Sequence, residues 1–178
     1  LQLQGQQLHQ QHMHAIVKRW MDPNGDGDPS DGIDGWRLDV AAEVPIAFWH
    51  ELRGWVTEIN PDAYLVGEIW WEDYRSHKLK NAGPWLEKAF DGVMNYRFTD
   101  AVLRFANEEH EPTPAVEFLD SLKRIEADYG YSKVLEIQNL LDSHDVARLG
   151  SVVMNPEARL DHDANVKGKP DYRTGPPH

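Results

Sequence analysis

Three acidic positions invite a chemical reading: Asp39 in Trp36-Arg37-Leu38-Asp39, Glu68 in Val66-Gly67-Glu68-Ile69-Trp70-Trp71, and Asp145 after His144. Residues two apart on a strand share a face, so Arg37 points the way Asp39 does and holds its carboxylate ionised. Glu68 has Val66, Ile69, Trp70 and Trp71 for neighbours, an apolar and aromatic setting that disfavours a charge and keeps the acid protonated. One carboxylate kept charged beside one kept protonated is what cleavage of a glycosidic bond through an oxocarbenium-like transition state requires. Indole faces nearby, Trp70 first among them, suit the C–H edges of sugar rings. Each residue alone has a plainer reading: a strand-end acid is commonly a turn or cap residue, and His-Asp ahead of a helix is commonly an N-cap. Three acids at three strand ends are harder to dismiss together.

The elements that must position them follow from the hydrophobic pattern. Met13, Ile16, Val17 and Trp20 recur at helical spacing up to Asp22-Pro23. Gly35–Val40 reads as a strand, and Pro45 opens a helix carried by Phe48, Trp49, Leu52, Val56 and Ile59. Asn60-Pro61-Asp62 ends it. Ala63–Ile69 is the second strand, followed by a helix-like stretch through Leu79. Phe90–Tyr96 is the third strand, Thr99–Asn107 a helix, and Val116, Leu119, Leu122 and Ile125 mark another after Pro114. Val134–Leu141 is the fourth strand, and the sequence beyond Arg148 reads as loop. Strands alternating with helices imply parallel pairing through right-handed crossovers, and such folds place ligands at the carboxyl ends of their strands. Asp39, Glu68 and His144-Asp145 stand there.

A different chemistry suits Asp22 to Gly32 (DPNGDGDPSDG). Asp22, Asn24 and Asp26 followed by Gly27 fit the opening of a calcium loop, with Asp28 offering its carbonyl next. The twelfth position is Ile33 where such loops carry a bidentate Glu, and Asp31 or Asp34 is the available substitute. The competing reading is a solvated turn, since these residue types make turns. Any calcium here is structural, and the glycosidic chemistry itself requires no cofactor.

Composition bounds the rest. The 178 residues carry 18 basic and 30 acidic side chains, a net charge of −12, with 40% hydrophobic residues, seven Trp and no Cys. That is enough chain for one sizeable core. The negative balance disfavours nucleic acid and anionic membrane surfaces as partners, whereas a neutral sugar is not repelled. No apolar run reaches the ~18 residues of a membrane span, no signal peptide is visible, and the compartment stays open. Six Gln fall in the first eleven residues, and residues 1–12 read as a low-complexity Gln/His-rich terminus ahead of a domain over 13–178. The first residue is Leu rather than Met, so the expectation is a piece of something longer.

The stretches Gly32–Val44 (GIDGWRLDVAAEV), Val66–Trp70 (VGEIW) and Leu140–Asp145 (LLDSHD), in this order, resemble the fourth, fifth and seventh strands of the alpha-amylase family, glycoside hydrolase family 13. Glu43, four residues past Asp39, is similar to the neopullulanase and cyclomaltodextrinase branch, where typical alpha-amylases carry Lys-His; Ala42 departs from the Asn common in that branch. The resemblance implies an α/β fold, a partial TIM (β/α)8 barrel of about strands 4 to 7 with their helices. It implies a retaining hydrolase of alpha-glucans such as starch, maltodextrin, cyclodextrin or pullulan. In it Asp39 is the nucleophile, Glu68 the general acid and base, and Asp145 the acid that fixes sugar hydroxyls. His144 hydrogen-bonds beside Asp145, Arg37 orients Asp39, and Trp70 meets the substrate.

The family's third-strand Asn-His motif has no counterpart before Met13, and no eighth strand is expected before His178. Open edges of that kind call for the remainder of the barrel or a self-association partner. The expectation is therefore a weak or inactive hydrolase when isolated. The competing reading is a catalytically silent fragment acting as a carbohydrate-binding or assembly module. A metal-dependent phosphohydrolase built on His144-Asp145 is disfavoured by the strand pattern.

Overall fold

The computed structural model describes residues 2–107 and 112–155, with side chains from residue 8 onward. The chain falls into two compact units, one of residues 1–72 and 80–93, the other of residues 73–79 and 94–178.

The first unit is built on three parallel strands, β1 (Gly35–Leu38), β2 (Tyr64–Gly67) and β5 (Gly92–Val93), in the order β1-β2-β5. Their register sets Arg37 opposite Val66 and Leu38 opposite Gly67, then Gly67 opposite Val93. Helix α2 (Ile46–Ile59) connects β1 to β2, beginning after Pro45 and burying Trp49, Leu52 and Val56 as its spacing requires. It stops where the Asn60 N–H donates back to the Val56 carbonyl at 2.8 Å. Leu65, Ile69, Phe90 and Val93 complete the core with Val17 and Met21 of helix α1 (Gln2–Met21). Glycines permit two close approaches that position the site. A Cβ on Gly35 would lie 2.1 Å from the Tyr64 carbonyl oxygen, and one on Gly67 would lie 2.2 Å from the Phe90 ring.

Helix α1 begins at Gln2, inside the tract read as a low-complexity terminus. Gln and Leu are good helix formers, and composition bias alone does not oppose a helix. The stretch after Trp70 is corrected. In place of a helix it carries short strands β3 (Trp71–Asp73) and β4 (Lys78–Leu79). Asp73 stops helical continuation by accepting from the Arg75 N–H at 3.0 Å and the Ser76 hydroxyl at 2.7 Å. Helix α3 (Gly83–Lys88) then leads into β5.

Besides β4, the second unit carries four helices among its described residues: α4 (Tyr96–Ala106), α5 (Ala115–Tyr129), α6 (Tyr131–Val134) and α7 (Leu149–Met154). The third expected strand is shortened because the Asn95 side chain accepts the Phe98 N–H at 3.3 Å and starts α4. Most of the fourth is replaced. Val134 ends α6, and only Gln138 keeps a parallel bridge, to Met94. The loop expected past Arg148 is helix α7, whose Leu149 N–H is capped by Asp142 at 2.7 Å and whose Val152 is buried against Leu103 and Ala147. The rest of that expected loop, residues 156–178, lies outside the described residues. In α5, Ile125 is buried but Val116 and Leu119 are exposed, so only part of the expected apolar face is covered.

Candidate active site

Asp39 follows the last residue of β1, and Glu68 follows the last residue of β2, its neighbour. Parallel pairing therefore brings both acids to the same end of the sheet. Their side chains differ in setting: Asp39 is 68% exposed and Glu68 only 3%. Arg37 joins them. Its Nη1 donates to Asp39 Oδ1, and its Nη2 donates to Glu68 Oε1 at 2.6 Å. One planar guanidinium thus serves two carboxylates, which pairing from sequence had assigned to Asp39 alone.

Glu68 is buried as its neighbours in sequence suggested, yet a purely apolar setting is corrected. Besides Arg37, its Oε2 accepts the Val40 N–H at 2.9 Å. Buried polar atoms need such partners, and here they come from the turn that follows β1. That turn is a short 3-10 helix, Ala41–Glu43, seated by Trp49, whose indole N–H donates to the Ala41 carbonyl at 2.8 Å. Trp49 was read as core, and its ring is core; its nitrogen also holds the turn beside Asp39. Nothing in the sequence signalled the Val40 contact, since a β-branched residue argues against the left-handed conformation it adopts.

Trp70 is half-buried two residues past Glu68 and stacks on Trp71, with centroids 5.6 Å apart and planes 23° apart. The Trp70 carbonyl accepts the Lys80 N–H at 2.7 Å, which ties down this segment of the first unit.

His144 and Asp145 belong to the second unit. His144 Nε2 lies 3.2 Å from Asp145 Oδ2, with the His side chain 64% exposed and the Asp side chain 35%. The Asp145 N–H donates to the Ser143 hydroxyl oxygen at 3.2 Å, and the Tyr96 hydroxyl donates to the same atom at 3.1 Å. Helix α4 therefore fixes the LLDSHD segment, helped by the Thr99 hydroxyl donating to the Leu140 carbonyl at 2.7 Å and by an Asn95–Asn139 amide contact at 2.9 Å. Ser143, between Asp142 and His144, was signalled in the sequence only by its place inside the LLDSHD segment.

The Asp-rich loop holds itself. Asp22, buried at the end of α1, accepts the Gly25 N–H at 2.9 Å and the Gly27 N–H at 3.2 Å. Asn24 accepts from Asp26 N–H, Asp26 from Asp28 N–H and Asp28 from Ser30 N–H, a run of Asx turns. Among the described residues no group of three or more His, Asp or Glu side chains converges to hold an ion.

Residues 2–167 match the family model described as alpha amylase, catalytic domain. The chain belongs to the alpha-amylase family. A Bacillus cyclomaltodextrinase is 48% identical over 119 residues, 66% of this chain and 19% of that protein. Neopullulanase 2 of Thermoactinomyces vulgaris is 40% identical over 153 residues, 84% of this chain and 23% of that one. Among solved structures, a cyclomaltodextrinase matches with a TM-score of 0.65 at 38% identity, over 85% of this chain and 22% of its own. A debranching enzyme from Nostoc punctiforme matches with a TM-score of 0.65 at 33% identity, over 81% of this chain and 30% of its own. This alpha-amylase-family chain spans about a fifth of the length of those two curated relatives. It supplies part of the family's TIM barrel, β1, β2 and β5 being parallel strands of it.

Proposed function

We propose that this chain carries the catalytic acids of a retaining glycoside hydrolase acting on alpha-glucans, with starch, maltodextrin, cyclodextrin and pullulan as the substrate class. The observation that supports it most is the single Arg37 guanidinium donating to both Asp39 and Glu68 at the ends of adjacent parallel strands. A retaining mechanism needs two carboxyls about 5–5.5 Å apart, and a shared guanidinium is one way of holding two acids near each other. The cyclomaltodextrinase, neopullulanase and debranching enzyme that this chain resembles favour the same class.

In this reading the exposed Asp39 carboxylate attacks the anomeric carbon while Glu68 gives its proton to the leaving glycosidic oxygen. A covalent glycosyl ester on Asp39 results. Water then enters, Glu68 takes its proton, and the oxygen attacks the anomeric carbon to release Asp39 with configuration retained. Asp145 binds sugar hydroxyls with His144 beside it, and Trp70 offers its ring to a sugar. The steps use carboxyl groups and water alone and call on no cofactor. Calcium at Asp22, Asn24, Asp26 and Asp28 would be structural.

Strand β1 lies at the edge of its sheet among the described residues, and unpaired parallel edges weaken a sheet. We therefore expect the isolated chain to cleave glucans slowly, and to need the remainder of a barrel or a self-association partner for full activity. The test is reducing-sugar release from maltodextrin and pullulan by the purified chain and by Asp39→Asn. Slow cleavage lost in the variant supports the reading; cleavage unchanged by Asp39→Asn sinks it. The open edge also favours a second reading, a silent carbohydrate-binding or assembly module. Maltoheptaose binding without turnover would select it.

A further inference from the structure

Residues 38–41 grip Glu68 at three points. The Glu68 N–H donates to the Leu38 carbonyl at 2.9 Å, the Ala41 N–H donates to the Glu68 carbonyl at 3.0 Å, and the Val40 N–H donates to Glu68 Oε2 at 2.9 Å. The first two join main chain to main chain just past Leu38 and Gly67, the last pair in the β1–β2 register. The third turns a backbone donor onto a functional side chain. Val40 stands at φ 46° and ψ 39°, in the left-handed region where a β-branched residue is an outlier. The residue is 48% exposed, so burial of its side chain does not force that conformation. A strained backbone persists where surrounding contacts over-determine it, and the three contacts to Glu68 are such contacts, together with the Glu43 N–H that donates to the Val40 carbonyl at 3.0 Å.

We propose that Val40 is a positioning residue whose left-handed backbone aims its amide at Glu68 Oε2. With Arg37 on Oε1, that amide fixes the orientation of the Glu68 carboxyl relative to Asp39. The inference rests on the assignment of Asp39 and Glu68 as the reacting pair and adds what holds their spacing. Asp39 and Val40 are consecutive, so the turn that carries one acid also grips the other. Main-chain geometry, more than side-chain rotamers, then sets the distance between the carboxyls. The side chain at position 40 is replaceable, whereas its N–H and its φ are not.

Nuclear magnetic resonance of the full chain tests this without any cleavage assay. The Val40 amide, on a half-exposed residue, is expected to exchange at least about tenfold more slowly than an unstructured amide. Its proton resonance is expected downfield and to move upfield in Glu68→Gln, which replaces the carboxyl acceptor by an amide. Val40→Asn, tolerant of the left-handed region, is expected to keep slow exchange at position 40. A coupling from the Val40 nitrogen to the Glu68 carboxyl carbon in the unmodified chain reads the same contact should Glu68→Gln fail to fold. Exchange at the unstructured rate, absence of that coupling, or an unmoved resonance in a folded Glu68→Gln overturns the proposal. An inactive chain that keeps the signature counts against the proposed reaction and leaves the contact standing. A chain that cleaves glucan without the signature overturns this inference alone.

Discussion

Arg37 Nη2 lies 2.6 Å from Glu68 Oε1, which makes the arginine of β1 the charge partner of the acid of β2. The Glu68 side chain is 3% exposed and the Arg37 side chain 31%. A carboxyl buried to that degree depends on its donors, because water does not replace them. The pairing follows from register. Arg37 stands opposite Val66, two residues before Glu68, so a long side chain running toward the carboxyl end of β1 reaches the acid that follows β2.

Replacing Arg37 should therefore destabilise the fold as well as abolish cleavage. Arg37→Ala leaves Glu68 with the Val40 N–H as a remaining donor and is expected to cost about 2 kcal/mol in urea unfolding. Arg37→Lys keeps a charge but offers one point where two nitrogens were used, and should fall between. A change within about 0.5 kcal/mol for Arg37→Ala would show that the contact carries no stability.

Gly67 gives a packing prediction. A Cβ there would meet the Phe90 ring at 2.2 Å, and Phe90 is buried in the core of the first unit. Gly67→Ala is expected to cost about 1–3 kcal/mol through overpacking. Adding Phe90→Leu should recover part of that loss, so the two changes together cost less than their sum. Additive costs in denaturant melts would place the strain elsewhere. Because Glu68 is the next residue, Gly67→Ala should also lower any glucan cleavage more than its stability loss explains.

What the sequence disclosed and what it hid divide along the range of the interaction. Strands β1 and β2 and helix α2 were legible because alternation, Pro45 and helical spacing are local signals. Arg37 beside Asp39 was legible for the same reason, a two-residue period. Arg37 on Glu68 was not, because it depends on the register between two strands whose paired residues, Arg37 and Val66 among them, stand 29 apart in sequence. The fourth strand is expected over a longer stretch than the fold uses. Val134–Leu141 is apolar enough, yet Lys133 accepts from both Glu136 and Ile137 N–H groups and turns the chain before Gln138 can pair. Helix α7 was missed because its cap, Asp142, stands seven residues before the Leu149 N–H that it receives.

The loop after α1 hangs on Asp22. Its two carboxylate oxygens receive the N–H groups of Gly25 and Gly27, both at positive φ, 76° and 84°. Asp22→Ala removes the acceptor of both and should cost about 1 kcal/mol, measured by urea unfolding. A calorimetric calcium titration of the folded chain belongs to the same experiment. Heat that disappears in Asp26→Ala would support the calcium ligands read from the sequence, and a flat titration would remove them.

Two exposed aspartates should titrate in ways that separate main-chain from side-chain donors. The Ser30 backbone N–H, then the Ser30 hydroxyl, holds Asp28 below its ordinary value of 3.8. For Asp73 the order is reversed: the Ser76 hydroxyl leads and the Arg75 backbone N–H follows. A carboxyl lowered in the folded state adds stability above its unfolded value and loses it as pH falls through the folded one. Acid below the ordinary carboxylate range should therefore loosen both turns, with neither affected at neutral pH. Ser76→Ala should raise the Asp73 midpoint further than Ser30→Ala raises that of Asp28, since Asp28 keeps its leading donor. Carbon-13 titration of the two carboxyls measures both shifts, and equal shifts would show that the two hydroxyls carry equal weight.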